Sequence, residues 1–237
     1  MRLFDDVIAG VNALLPGPPT KAAPYDPARC ATDGEKDRIL FRSETAFELG
    51  GGGKPSVCTV LFGDEPAESR VELYGPDLDA IRADQPFAHV TFARLRVSDG
   101  SAAHYEQIQK LGFTVFQVYP EGFLIRVSPM SGREQARVAK AAVECRPPLS
   151  LLNVGCSLIR EFRKHPEIAA VRTAYITDPA FDYTALADLA AKARSITSAL
   201  DRALGGGELD CAACKMKPVC DSVEGLRELH FGKEKTS

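Results

Sequence analysis

The chain has 237 residues, of which 45% are apolar and 26% charged, and its formal net charge is −3. These proportions are typical of a globular protein with a buried core, and they exclude fibrous and disordered classes. Acidic and basic residues are interspersed, so there is no basic field that would attract a phosphate backbone. Nucleic acid is therefore not an expected partner.

The first residues predict an amphipathic helix. Apolar side chains recur at helical spacing from Leu3 to Leu14, and two aspartates interrupt them. Nowhere does an uninterrupted apolar run approach the roughly 20 residues that a membrane span needs. We therefore expect a helix that docks on the core of a cytoplasmic protein, with no membrane partner.

The next part of the chain predicts a connection followed by a sheet. Prolines and turn formers from residue 15 to 38 predict a long surface connection without regular structure. Apolar and β-branched stretches between Ile39 and Val97 predict antiparallel strands. After a helix in "AAHYEQIQKLGF", the runs "TVFQVY" and "GFLIRVS" predict a hairpin around a Pro-Glu-Gly turn.

The second half alternates helices and strands. The pattern predicts a helix from Ser131 to Cys145, a third helix in "LLNVGCSLIREFRKHP" and a strand in "AAVRTAYITDP". A long helix from about Asp182 to Leu204 and a short terminal helix in "SVEGLRELHF" follow. The predicted fold class is α+β (mixed α/β), with an antiparallel-rich sheet and flanking helices.

The organisation predicts four parts. The N-terminal helix and proline-rich connection cover residues 1–38, and an α+β domain covers 39–145. A helix-strand-helix unit over 146–207 packs on that domain, and a cysteine-rich, metal-binding C-terminus covers 208–237.

Three of the seven cysteines lie close together near the C-terminus. Cys211, Cys214 and Cys220 form the pattern Cys-x2-Cys-x5-Cys. Disulfides are disfavoured in a reducing cytoplasm, and free cysteine is rare on polar loops. A two-residue gap lets two thiolates reach one centre, and the longer gap brings in a third. The spacing predicts a metal site rather than three unrelated thiols.

The metal and the fourth ligand stay open at this point. A [4Fe-4S] cluster is favoured, because such clusters use cysteine runs of this kind with a remote fourth ligand. Zinc is the alternative, with His230 completing a Cys3His set. For a cluster, the fourth ligand is Cys30, in the loop "DPARCATDG", or Cys156, placed near a helix start where the dipole favours a thiolate. An iron left open to a small molecule, a water or a partner's residue is the remaining alternative.

The other chemically suggestive residues are predicted to be structural. Cys58 and Cys145 are expected to be small core residues. The glycine run from Gly50 to Ser56 lacks the spacing of a phosphate loop and predicts a turn between strands. His89 and His104 have no companion at metal spacing. No nucleophile motif occurs, so any catalysis would rest on the metal.

Several motifs resemble a known family. "FRSETAFELGG", "VELYGPDLDAI" and "PFAHV" resemble the middle region of the β subunit of the carbon monoxide dehydrogenase/acetyl-CoA synthase complex. "FRKHPEIAAVRTAYITDP", the long helix and the cysteine cluster resemble the approach to that family's nickel-iron-sulfur A-cluster. The resemblance runs in order from about Ile39 to Cys220. It implies domains like those of the β subunit, with Cys211, Cys214 and Cys220 as cluster ligands.

The sequence also departs from that family. In acetyl-CoA synthases a longer gap follows the first cysteine pair, and a later Cys-Gly-Cys segment binds the second nickel. This sequence has neither feature. The resemblance thus implies a short, divergent member that is not expected to make acetyl-CoA by itself.

The expected function is that of a small iron-sulfur protein docked on a larger metalloenzyme. Its role would be electron transfer, cluster maturation or other accessory work in anaerobic metabolism. One alternative is an enzyme that uses an open iron site on a one-carbon ligand such as CO. Another is a zinc-stapled protein-interaction module. Self-association into a homo-oligomer also stays open.

Overall fold

The computed structural model describes residues 3–35, 45–51, 53–96, 108, 110–127, 134–204 and 217–222. The helices with described bounds are α1 Asp5–Leu14, α2 Lys140–Glu144, α3 Leu151–Phe162, α4 Tyr183–Leu204 and α5 Lys217–Ser222. The strands are β1 Lys21–Pro24, β2 Ala46–Leu49, β3 Ser56–Gly63, β4 Arg70–Tyr74, β5 Phe87–Leu95, β6 Phe123–Val127, β7 Glu134–Ala139 and β8 Ile168–Ile176.

The larger sheet is mixed and has the order β1-β4-β8-β5-β3. Strand β4 runs parallel to β8, and β3 runs parallel to β5. The other two pairs, β1 with β4 and β5 with β8, are antiparallel. Nearly every residue of β5 and β8 is buried, because elements cover both faces of these central strands. Strand β3 forms one edge of the sheet.

The smaller sheet is antiparallel and has the order β2-β7-β6. It joins the end of the larger sheet through Phe123 of β6, whose ring meets Phe87 of β5 with centroids 6.5 Å apart. Within it, the Arg137 guanidinium lies 3.2 Å from the Glu48 carboxylate, and Glu48 is buried. The ion pair therefore offsets the free-energy cost of burying the Glu48 carboxylate away from water.

The helices cover opposite faces of the larger sheet. Gly155 of α3 approaches Val71 and Thr173 so closely that an added Cβ would lie 2.5 Å from a Val71 methyl. Arg172, which neighbours Thr173 in β8, instead donates a hydrogen bond to Asn12 of α1. Successive strand residues point to opposite faces, so α3 and α1 lie on opposite sides. Helix α4 packs on α1 and β3.

The fold class is confirmed, and so are several elements. The structure is mixed α/β, with antiparallel pairs in the majority and helices flanking the sheets. The predicted N-terminal helix, the "LLNVGCSLIREF" helix, the "AAVRTAYI" strand and the long helix correspond to α1, α3, β8 and α4. No helix in the described ranges is both long enough and apolar enough to cross a membrane.

Three local predictions are wrong. The 15–38 connection contains β1, an edge strand that tolerates Pro24 because no further strand needs its missing N–H. "TVFQV" forms a 3-10 segment, Phe113–Gln117, so only the second half of the expected hairpin is a strand. Within the helix predicted from Ser131 to Cys145, Glu134–Ala139 forms β7, because pairing with strands on both sides outweighs helical propensity, and Lys140–Glu144 is helical.

Other predictions are changed or lie beyond the described ranges. The strands expected to be antiparallel include β3, which pairs in parallel with β5. Ser131, the first residue of the predicted helix, and almost all of "SVEGLRELHF" lie outside the described residues. The four-part division stays a prediction; β1, β4 and β8, from three of those parts, lie side by side in the larger sheet.

Candidate functional site

The C-terminal cysteines lie at the margin of the described chain. Cys211, Cys214 and His230 fall outside it. Cys220 lies in α5, which packs against α4, and the neighbouring Val219 contacts the main hydrophobic core. The stretch that carries the first two cysteines is therefore bounded on both sides by helices that contact each other.

Within the described ranges, no three or more His, Cys, Asp or Glu side chains are grouped to hold a metal ion. A cluster would therefore need Cys211 and Cys214 from outside those ranges. Thiolates are the donors that both iron-sulfur clusters and zinc prefer, so the chemistry of the donor set fits either group.

Cys30 is not the exposed loop thiol that the sequence suggested. It follows a 3-10 turn, Pro27–Arg29, in which the Ala28 N–H donates a hydrogen bond to the Asp26 carboxylate. Its side chain is half-buried against the main core. Burial raises the pKa of the thiol, and the nearby positive charge of Arg160 opposes that shift. Cys30 therefore stays protonated more readily than an ordinary thiol.

Cys156 is not at a helix N-terminus. Helix α3 begins at Leu151 and is capped by Ser150, whose hydroxyl accepts a hydrogen bond from the Leu152 N–H. Cys156 is thus the sixth helical residue, beyond the first turn in which the dipole acts. It is completely buried, and burial raises the pKa of its thiol. The predicted activation of this thiol by the helix dipole is wrong.

Cys145 is exposed, so its assignment to the core is wrong. It lies just after α2, and its sulfur lies 3.2 Å from the carbonyl oxygens of both Ala142 and Pro147, either of which can accept its single S–H. Cys145 and Cys30 line the same cleft of about 470 Å³.

Cys58 and His89 form a polar pair on neighbouring strands. The Cys58 sulfur lies 3.4 Å from Nδ1 of His89, which is fully buried. On the other side of the ring, Nε2 lies 2.7 Å from the Thr173 hydroxyl and 3.0 Å from that of Thr91. The ring also stacks on Tyr175, with centroids 4.8 Å apart. These contacts give His89 the structural role that was predicted for it.

The imidazole of His89 is neutral at physiological pH, since burial lowers its pKa to about 3. A neutral imidazole carries one N–H, and the two threonine hydroxyls at Nε2 can either accept or donate. The opposite nitrogen, Nδ1, can therefore accept the Cys58 S–H or donate an N–H to a Cys58 thiolate.

Cys58 itself is half-buried and lines a cleft of about 330 Å³ at the edge of the larger sheet. One wall consists of the second half of α4, including Arg194, Thr197 and Asp201. At the mouth lies Phe113, an apolar side chain that is 65% exposed. Sequence reasoning missed this site, because nothing in the spacing places α4 beside β3.

Two further predictions concern the glycine run and His104. Gly50, Gly51 and Gly53 have φ values of 66°, 140° and 87°, and they form the predicted turn between β2 and β3. His104 lies outside the described residues.

No protein-family model matches the chain, and no curated protein matches it either. These two comparisons therefore place the chain in no family.

Proposed function

We propose that this chain is a small iron-sulfur protein that carries a [4Fe-4S] cluster on Cys211, Cys214 and Cys220. The observation that carries the proposal is the Cys-x2-Cys-x5-Cys spacing. Two thiolates separated by two residues reach one metal centre from a single turn of chain, and the third closes the set of local ligands.

The arrangement around the cysteines supports this proposal. Cys220 lies on α5, which packs against α4, and α4 rests on the sheet and on α1. A metal site keeps its geometry when its ligands are attached to rigid elements. The last local ligand therefore has a folded support.

We assign the cluster an accessory role beside a larger metalloenzyme, either in electron transfer or in cluster maturation. The motifs resemble those of the carbon monoxide dehydrogenase/acetyl-CoA synthase β subunit, which implies one-carbon, anaerobic metabolism in the cytoplasm. The sequence has no Cys-Gly-Cys segment. Without such a square-planar nickel site the chain has no evident place for the acetyl-forming metal.

Metal analysis of anaerobically purified protein tests the proposal. We expect about four irons and four sulfides per chain, with broad visible absorbance that bleaches on reduction with dithionite. Cys211→Ser and Cys214→Ser should each abolish this absorbance. The exposed Cys145 supplies a matched control, since Cys145→Ser should leave the iron content unchanged.

Two results would contradict the assigned role. Stoichiometric zinc without visible absorbance, lost in His230→Ala, would indicate the zinc-stapled interaction module instead. A spectrum that changes on addition of CO would indicate an enzyme with an open iron. Reduction of the oxidised protein by a purified carbon monoxide dehydrogenase supplied with CO as the electron donor, followed by the loss of visible absorbance, would support electron transfer.

A further inference from the structure

We propose that the cleft at the outer edge of β3 is an interface at which two copies of this chain associate. Each copy places its Phe113 ring against the cleft of the other, across a two-fold axis perpendicular to the larger sheet. The inference goes beyond the proposed iron-sulfur function and does not depend on it.

The cleft lies where the larger sheet ends. Strand β3 is the last in the order of the sheet, and its residues Cys58, Thr59 and Val60 lie between the two walls of the cleft. One wall is α4, which packs on the same face of the sheet as α1. The other wall includes the 3-10 segment Phe113–Gln117, which contacts α3 on the opposite face. The cleft is therefore a groove at the sheet edge, between a helix on one face and a 3-10 segment on the other.

The exposed ring of Phe113 is the observation that carries the inference. In the described ranges it is the one large apolar side chain that is exposed, at 65%. It lies at the mouth of a cleft of about 330 Å³ whose lining is mainly apolar and includes Ile108 and Val115. An exposed aromatic side chain beside an apolar recess is typical of a protein interface. Because the ring and the recess belong to one surface patch, two copies bury both of them in a single two-fold contact.

The charges on the α4 wall also fit a second copy. Arg194 and Asp201 line the cleft and are exposed. Neither side chain has an ion-pair partner in the part of the chain that the structure describes. They lie seven positions apart, on one face of the helix. The rise between them is about 10 Å, so they do not pair with each other within one chain.

A two-fold axis pairs these charges twice. Thr197 lies about midway between them and also lines the cleft. When α4 packs antiparallel on the same helix of the second copy, with Thr197 near the axis, Arg194 lies opposite the partner's Asp201 and the reverse pair forms as well. A cleft that carries one charge of each sign does not select a strongly acidic or strongly basic protein. A second copy satisfies both charges with the same geometry.

The composition of β3 favours an edge that is covered. Native proteins protect exposed edge strands with charged residues, prolines or bulges. Residues Ser56–Gly63 include no charged residue and no proline, and their register with β5 has no bulge. In the two-fold arrangement the edges of the two sheets face each other, so each copy shields the β3 edge of the other.

Sedimentation equilibrium of the full chain, purified anaerobically and measured over a range of concentrations, tests the inference. We expect the wild type to form a dimer. Phe113→Asp should weaken the dimer at least about tenfold, because it replaces a central aromatic anchor by a carboxylate that would be buried. Phe113 is exposed in the single chain, so the fold should be retained, which circular dichroism and thermal unfolding check.

Charge reversal on α4 distinguishes this interface from any other. Arg194→Asp and Asp201→Arg should each weaken the dimer, because each puts like charges opposite each other twice. The variant that carries both changes should recover most of the wild-type affinity, since opposite charges face each other again. Asp188→Arg is the matched control, because Asp188 is exposed on α4 but does not line the cleft. It should leave the dimer unchanged.

A cysteine near the axis gives a second readout. Thr197→Cys should form an intermolecular disulfide on treatment with oxidised glutathione, located by mass spectrometry of the linked peptides, whereas Asp188→Cys should not. A wild type that stays monomeric at every concentration would overturn the inference and leave the cleft to a partner of another kind. A dimer that Phe113→Asp and both single charge reversals leave intact would overturn it as well. Neither result bears on the iron-sulfur proposal, which metal analysis tests separately.

Discussion

The thiols beside α3 and the thiol on β3 lie in different physical surroundings. Cys156 is a completely buried residue of α3, and Cys30 is half-buried beside that helix; burial raises the pKa of both thiols. Cys58 lies half-buried at a sheet edge, in a cleft, with an imidazole nitrogen on its sulfur. A buried thiol acts as a small apolar side chain, whereas an accessible thiol can act as a ligand. The location of a cysteine therefore decides its role.

A substitution that disrupts the packing of α3 on the sheet should give the largest loss of stability. We expect Gly155→Val to destabilise the protein by about 3 kcal/mol, because even a Cβ would lie 2.5 Å from a Val71 methyl. Gly112→Ala is the matched control, since no heavy atom other than those of its chain neighbours lies within 4 Å of an added Cβ there. Urea unfolding measures both variants. Equal stabilities would show that α3 does not pack closely on the sheet.

The contrast between the two kinds of thiol can be measured directly on the apo protein. Cys156→Ser should cost about 2 kcal/mol, because it replaces a completely buried sulfur by a smaller and more polar hydroxyl. Cys58→Ser should cost less than about 1 kcal/mol, because the site is half-exposed and already offers a hydrogen-bond partner. Equal free energies of unfolding for the two variants would contradict this contrast.

The cap of α3 should contribute less. Ser150→Ala removes the acceptor of the Leu152 N–H and a 2.7 Å hydrogen bond to Asp77, for an expected cost of about 1 kcal/mol. Ser150→Asn retains a capping group and serves as the control. Thermal unfolding should rank wild type and Ser150→Asn above Ser150→Ala.

The labelling rates of the apo protein should show the smallest difference. Native Cys145 should react with iodoacetamide faster than Cys30, because Cys145 is exposed and burial raises the pKa of Cys30. The rate for Cys30 should continue to rise at pH values above the usual thiol range, since the thiolate forms later there. Rates followed by mass spectrometry against pH test this order.

Much of the fold could be predicted where the periodicity of a segment agreed with its packing. Helix α3 has an apolar pattern at helical spacing and a serine cap, and β8 is a short apolar run followed by an Asp-Pro turn. Strand β7 could not be predicted in this way. "EQARVA" is compatible with a helix, and only pairing with β2 and β6 makes it a strand.

The candidate site, like the fold, could be predicted only in its local features. The sequence itself determined that Cys211, Cys214 and Cys220 share a ligand-like spacing, because that spacing is a property of the local chain. It also indicated a turn at the glycine run and a structural His89. The position of a remote thiol is not a local property: Cys30, Cys58, Cys145 and Cys156 look alike in sequence.

Only the tertiary structure separated these four thiols. It buried Cys156 within α3, left Cys145 in solvent, and placed Cys58 at a sheet edge beside the helix that leads into the cysteine-rich stretch. The reason is physical. Burial and cleft geometry depend on how distant elements pack, and the packing of α4 on β3 joins residues at least 120 positions apart in the chain.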